Sequence, residues 1–382
     1  MTPPLRLRGF EDWRRQARRR LPRGLFEYID RGVGREVSLR HQRDRLDAVK
    51  ITPRMLGGDR PVTLGTSLFG QPCAAPLAVA PTAMAGLVAH DGEVAMARAA
   101  TRLGLPVCLS TQSINSVQQI RDAVPEARLW FQLYAWEDRA LTRELLGRVR
   151  ASGAEVLVVT VDTPTGARKD WNIRNGFDMP FTWHFRALLD VALHAPWVMR
   201  VILPYLARGG FPALGNYRPD LRPTLVRAVP DKAVRLRMAL SWSDIAEIRS
   251  EWAGTMLLKG ICHPQDAIRA ADSGMDGIVV SSHGARNFDP CPAAIDLLPP
   301  IAEAVRGRMT ILADSGVQTG TDVLKYLHAG ASGVLAGRLP LWGLAAKGEA
   351  GAETALAGLM QELEEALRMS GLRMTDLADG GC

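Results

Sequence analysis

At 382 residues, 47% hydrophobic and 23% charged, the chain has the balance of a globular protein with a large core, which excludes a disordered or fibrous chain. The net charge of +7 gathers near the start, in Arg6, Arg8, Arg14, Arg15, Arg18, Arg19, Arg20 and Arg23. Glu11, Asp12 and Trp13 interrupt that run and no aromatic interleaving accompanies it, so nucleic acid is excluded as a partner and a solvated helix face or a membrane-surface contact is left.

Residues 1–75 are read as a cap, a helix-like arm followed by Leu21-Pro22 and Phe26-Glu27-Tyr28-Ile29. No apolar signal core is read in Met1–Arg20, and no run reaches the roughly 18 apolar residues of a membrane span. The five cysteines are scattered without a Cys-x-x-Cys, which argues against a zinc site or disulfide framework and for a reduced, cytoplasmic setting.

From Pro76 on, short apolar runs alternate with helix-like segments. Strands are predicted at Leu77–Ala80, Val107–Ser110, Leu129–Leu133, Val156–Val161, Thr255–Leu258, Gly277–Val280, Thr310–Ala313 and Gly333–Ala336. Helices are predicted at Asp91–Arg102, Ser116–Ala123, Arg139–Ala151, Pro264–Ala271, Gly320–Ala329 and, at the tail, Glu353–Arg368. Eight such units argue for an α/β fold, a (β/α)8 TIM barrel over residues 76–382, rather than an open doubly wound sheet, since no Gly-x-Gly-x-x-Gly follows the first strand.

The fourth and fifth strands are too far apart for one crossover, so about 177–240 is an insertion at the active face of the barrel. Its apolar residues include Trp183, Phe185, Leu188, Leu189, Trp197, Val201, Ile202 and Tyr205, flanked by Arg186, Arg200 and Arg208. That pattern suits a monotopic membrane patch, and equally a lid or a subunit interface.

In such a barrel the chemistry sits at the C-terminal ends of the strands. In order they offer Pro81-Thr82-Ala83-Met84, Ser110-Thr111, Gln132-Leu133-Tyr134, Thr160-Val161-Asp162, Lys259-Gly260, Ser281-Ser282-His283-Gly284-Ala285-Arg286, Asp314-Ser315-Gly316 and Gly337-Arg338. Amides and hydroxyls on the first four suit the polar edge of a flat heterocycle. Lys259, one of six lysines, ends an apolar strand and needs an anionic partner. Glycines with Arg338 on the last two strands suit a phosphate. His283 offers a base near neutral pH and Arg286 a fork for a carboxylate. A ring plus a phosphate reads as a mononucleotide cofactor, with FMN fitting best.

These motifs, with Trp130-Phe131-Gln132-Leu133-Tyr134, Thr160-Val161-Asp162-Thr163-Pro164 and Leu257-Leu258-Lys259-Gly260, resemble the FMN-dependent 2-hydroxy acid oxidases and dehydrogenases, nearest their lactate and mandelate dehydrogenase branch. The resemblance runs from about Phe10 to Asp376. It implies oxidation of an (S)-2-hydroxy acid to the 2-oxo acid, with electrons leaving the substrate as hydride or by way of a carbanion and passing on to a quinone or carrier. An oxygen-using oxidase, or an enzyme for a modified or peptide-borne substrate, is the alternative.

By the same resemblance His283 is the base, oriented by Asp162, and Arg286 and Tyr28 bind the substrate carboxylate. Tyr134 bonds the substrate oxygen, and Lys259 stabilises reduced flavin. Pro81, Thr82, Ala83, Ser110, Gln132, Thr160 and Ser281 hold the flavin. Asp314 holds the ribityl chain, and Gly316, Gln318, Gly337 and Arg338 lie at the phosphate. The resemblance further implies a homo-oligomer, a tetramer, and peripheral attachment to the inner face of the membrane through the insertion.

Four positions depart from the family pattern: Ser282 replaces an Asn, Gln318 an Arg and Gln112 a Trp of glycolate oxidase. The second substrate Arg aligns with either Arg168 or Lys169. Gln112 makes a more polar pocket roof.

Overall fold

The computed structural model describes residues 9–56, 61–177, 181–182, 184–228 and 234–378. Arg6 and Arg8 of the basic arm, Trp183 of the insertion, Lys232 and Cys382 lie outside the described residues. Eight parallel strands close on themselves: β1 (Leu77–Val79), β2 (Val107–Ser110), β3 (Leu129–Leu133), β4 (Val156–Thr160), β5 (Thr255–Ile261), β6 (Gly277–Val280), β7 (Thr310–Ala313) and β8 (Gly333–Ala336), with β8 pairing β1 to complete the ring. Each is apolar along its length because helices cover the outer face while side chains fill the inner one; Trp130, Phe131, Val158 and Ile278 are fully buried.

Two differences from the expected strands are informative. β1 and β4 each stop one residue short, at Val79 and Thr160. β5 runs three residues past Leu258, through Lys259 and Gly260 to Ile261, with a register shift against β6 between Lys259 and Ile261. Gly260 sits at φ +105, and a Cβ there would stand 2.4 Å from Cβ of Asp162. The glycine therefore lets β5 kink while Asp162 approaches it.

The crossover helices start where side chains satisfy the first-turn amides. Ser116 with Gln119, and Thr319 with Asp322, form reciprocal caps. The long helix Glu349–Ser370 buries Leu356, Leu359, Leu363 and Leu367 as one stripe and is longer at both ends than the predicted segment.

Before the barrel come α1 (Phe10–Arg20), α2 (Arg23–Asp30) and α3 (Val37–Ala48), then a hairpin of Thr66–Leu68 and Gln71–Cys73. Leu68 and Phe69 of the hairpin lie against Gly333 and Gly277 at the starts of β8 and β6, so the hairpin closes the N-terminal mouth. α2 packs by Phe26 on Trp342 with ring centroids 5.2 Å apart, which carries Tyr28 to the opposite mouth.

Between β4 and β5 the chain forms short helices at Asp170–Asn175 and Phe185–Leu193, then a continuous helical run from Ala195 to Ala207 with a π-helical turn at Val198–Ile202. The ordinary crossover helix Trp242–Glu251 follows. Trp197, Val201 and Ile202 are buried, with the Trp197 indole donating to the Leu87 carbonyl at 2.8 Å. Phe185, Leu193 and Met199 on the other side are 78%, 73% and 65% exposed.

Candidate active site

The strand ends and α2 enclose a cavity of about 920 Å³. His283 stands in it on a backbone turn in which His283, Gly284 and Ala285 all have positive φ (54, 62 and 62). Such a run is strained for side-chain-bearing residues and is held from outside. The Ser315 hydroxyl accepts from the Ser282 and Gly284 amides at 3.2 and 3.1 Å, and the His283 amide donates to Ser281 Oγ at 3.0 Å. The turn aims the imidazole so that Nδ1 lies 2.8 Å from Asp162 Oδ1 and Nε2 lies 3.5 Å from Tyr134 Oη. Burial alone would raise the Asp162 carboxyl; the charge and hydrogen bond of His283, with Lys259 nearby, outweigh it and hold the group below the ordinary carboxylate range. Burial pushes the Tyr134 phenol well above its ordinary value, so it stays protonated.

Asn287, three residues beyond the turn's glycine, donates to the Asp162 carbonyl at 2.9 Å and to its Oδ1 at 3.4 Å. Sequence reasoning gave Asn287 and Ser315 no role. Their partners are distant in sequence, and no spacing pattern announces such contacts.

The anion expected for Lys259 is Asp314. The ammonium is 2.8 Å from Asp314 Oδ2 and 2.7 Å from Ser281 Oγ, at 4% exposure. Burial lowers the lysine's affinity for its proton, but Asp314 and Asp162 more than restore it, so Lys259 stays charged. Asp314, expected to take a ribityl chain, thus has one oxygen on Lys259 and the other accepting from Ser315 at 2.8 Å. Across β2, β3 and β4, Ser110 Oγ donates to Gln132 Oε1 (3.0 Å) and Gln132 Nε2 to Thr160 Oγ1 (2.9 Å), forming one polar rail. Pro81, Thr82, Ala83, Gly316, Gln318 and Gly337 also line the cavity. Ser281 stands behind Lys259 and is fully buried.

Two cations stand by the Tyr28 ring: the Arg286 guanidinium is 4.9 Å from its centroid and the Lys169 ammonium 5.6 Å. Arg168 lies at the cavity's rim, its side chain 81% exposed and paired with Asp170 at 2.7 Å. Of the two alternatives Lys169 therefore faces Tyr28, because Asp170 draws its neighbour toward solvent. Arg286 donates to backbone carbonyls of α2, and Arg338 to Ile29 O (2.9 Å) and Gly284 O (3.0 Å). Among the described residues neither has a carboxylate within salt-bridge distance. Burial, with repulsion from Arg286, lowers Arg338 to about 10. Near the Gln318 position, Arg43 of α3 reaches Gly316 O (3.1 Å) while clasping Asp322.

Two half-buried guanidiniums lacking acids among the described residues, a charged buried lysine and a polar rail suit a flat heterocycle with an anionic tail beside a second anion. A (β/α)8 barrel with that site is a flavin mononucleotide oxidoreductase. Comparison with known proteins agrees. Residues 17–380 match the family model described as FMN-dependent dehydrogenase, and the chain belongs to that family. It is 40% identical to an L-lactate dehydrogenase of Caulobacter vibrioides over 365 residues, covering 95% of this chain and 94% of that protein. Against the L-lactate dehydrogenase of Pectobacterium atrosepticum the figures are 39%, 95% and 93%. Among solved structures, the monotopic membrane protein (S)-mandelate dehydrogenase superposes with a TM-score of 0.88 at 29% identity, over 98% of each chain. A mandelate oxidase variant with (S)-mandelic acid gives 0.81 at 33%, over 97% of each. FMN is the cofactor of this family.

Proposed function

We propose that the enzyme oxidises an (S)-2-hydroxy acid to the 2-oxo acid, with His283 as the base. The observation that carries this is the His283–Asp162 pair at 2.8 Å beside an Arg286 that has no carboxylate of its own among the described residues. Arg286 and Lys169, both beside Tyr28, bind the substrate carboxylate, Arg286 by two parallel bonds. Tyr134, kept protonated, donates to the substrate oxygen. Because Nδ1–H is engaged by Asp162, the free lone pair of His283 is on Nε2, and that atom takes the proton leaving the substrate. Asp162 then stabilises the imidazolium. Bound FMN supplies the two-electron acceptor. Lys259 would hold its ring by charge, the rail of Ser110, Gln132 and Thr160 its polar edge, and Arg338 its phosphate.

The test is His283→Ala. Flavin content should match the parent, while anaerobic bleaching by (S)-lactate or (S)-mandelate falls by about 10²–10⁴-fold. Undiminished bleaching would remove His283 from the role.

For the electron acceptor, the reading is a membrane quinone or carrier reached through the insertion. Exposed Phe185, Leu189, Leu193 and Met199 share the insertion with exposed Arg186 and Arg200, a composition suited to anionic lipid. No single helix among the described residues is long and apolar enough to cross a bilayer; Phe185–Leu193 and Ala195–Ala207 meet at 74°. The monotopic character of the mandelate dehydrogenase neighbour supports this reading. The family resemblance also carries a homotetramer, which light scattering on the purified protein tests.

A further inference from the structure

The turn that carries His283 is fastened from two sides. From the barrel, Ser315 Oγ accepts from the Ser282 and Gly284 amides and itself donates to Asp314 Oδ1 at 2.8 Å. From the cap comes Gln42 of α3. Its Nε2 donates to Ser282 Oγ at 2.8 Å across 240 residues of sequence, with Gln42 1% and Ser282 5% exposed. The same Nε2 lies 3.4 Å from the Pro292 carbonyl oxygen, and Oε1 accepts from the Ala294 amide at 3.4 Å. Ala294 opens the helix Ala294–Ala304, and the residue before it, Ala293, has no side chain able to cap that first turn. One carboxamide therefore bonds both ends of the segment that carries His283, Arg286 and Asn287.

α3 is itself held firmly enough to serve as the fixed side of this contact. Ser38, Gln42 and Arg45 stand at i, i+4 and i+7, so they share one helix face. All three bond the chain that follows β6. Ser38 donates from Oγ to Cys291 O (2.9 Å) and from its amide to Asp289 Oδ1 (3.2 Å), and Arg45 Nε meets Asp296 Oδ2 at 2.8 Å. Arg43 commits its guanidinium to Asp47, Asp322 and Gly316 O. A buried carboxamide is unfavourable unless bonded, and an aliphatic side chain would fill the same space without that penalty. What the amide adds is direction, because its bond admits one placement of Ser282. The three residues after Ser282 are all left-handed, so a rotation at Ser282 is passed to the imidazole whose Nδ1 lies 2.8 Å from Asp162. Arg286 is anchored separately, on the Tyr28 and Ile29 carbonyls of α2.

Resting on the oxidation proposed above, we infer that Gln42 is a positioning residue for the base: through Ser282 it sets the turn that holds His283 against Asp162. The FMN-loaded protein is reduced anaerobically by (S)-lactate or (S)-mandelate in stopped flow, and the limiting rate of flavin bleaching is measured. The Kd of the matching 2-oxo acid, pyruvate or phenylglyoxylate, is read separately from perturbation of the oxidised flavin spectrum. Gln42→Met, of nearly the same length, should slow the limiting rate by about ten- to a hundredfold and leave the Kd at the parental value, since Arg286 keeps its own anchors. Ser282→Ala should slow it by a similar factor, and the double variant should be no slower, because each single change breaks the same contact. Ser282→Ala also carries the test if Gln42→Met does not fold. A parental limiting rate in a flavin-loaded single variant, losses that multiply in the double variant, or a Kd that weakens as much as the rate overturns the positioning role and leaves the oxidation standing. Failure of both acids to reduce the parent overturns both.

Discussion

Lys259 carries a fully charged ammonium at 4% exposure. Its ammonium is held by Asp314 and Ser281 in the barrel interior, with Asp162 adding to the charge balance. Removing one member of a buried pair leaves the other charge uncompensated. Lys259→Met should therefore cost about 3–5 kcal/mol, read as a drop in denaturation midpoint, and Lys259→Met with Asp314→Asn should recover part of it. Full stability in the single variant would mean that Asp314 is not charged. Asp162 has a signature in pH. Its folded value lies below the ordinary 3.8, so its contribution to stability is complete above that pH and is lost as pH falls through the folded value. Thermal melts of the parent should show this acid limb, and Asp162→Asn should flatten it. The same variant should slow anaerobic flavin reduction, since the imidazolium loses its partner.

Two elements bend to make these contacts. The turn after β6 holds three left-handed residues in succession, pinned by the Ser315 hydroxyl on two of its amides. β5 carries its register shift at Gly260, where only the missing side chain admits Asp162. Gly260→Ala places a methyl 2.4 Å from Asp162 Cβ at a φ that side-chain-bearing residues avoid. The expected loss is about 1–3 kcal/mol, together with slower bleaching as Asp162 is pushed off His283. A variant with parental midpoint and parental rate would show that β5 can flatten without moving the carboxylate.

Across the whole molecule, the insertion joins the barrel by one face and leaves the other apolar. Trp197, Val201 and Ile202 dock, and Tyr205 fastens the segment by accepting from the Asp91 amide at 3.0 Å and donating to Gly86 O at 3.2 Å. Phe185, Leu189 and Leu193 on the outward side are 78%, 47% and 73% exposed. Phe185→Ser with Leu189→Ser and Leu193→Ser should abolish flotation with anionic vesicles while leaving bleaching by the substrate intact. Flotation retained by the triple variant would place any membrane contact elsewhere.

The sequence by itself pointed to the barrel, because eight short Val- and Leu-rich runs at crossover spacing must bury both faces and no Gly-x-Gly-x-x-Gly marks an open doubly wound sheet, and it located His283, Asp162, Lys259 and Arg286 because strand ends form the reactive mouth. It also carried the family, through motifs spread over nearly the whole chain. The helix Ala294–Ala304 was harder to read, since Pro299 and Pro300 lie within it. Only the tertiary structure decided that Lys169 rather than Arg168 faces Tyr28, that Asp314 answers Lys259, and that Asn287 steadies Asp162. The same holds for which half of the insertion is buried. Strand periodicity and motif spacing are local properties of the chain, whereas each of these outcomes is a choice among partners that only closure of the barrel brings within hydrogen-bonding reach.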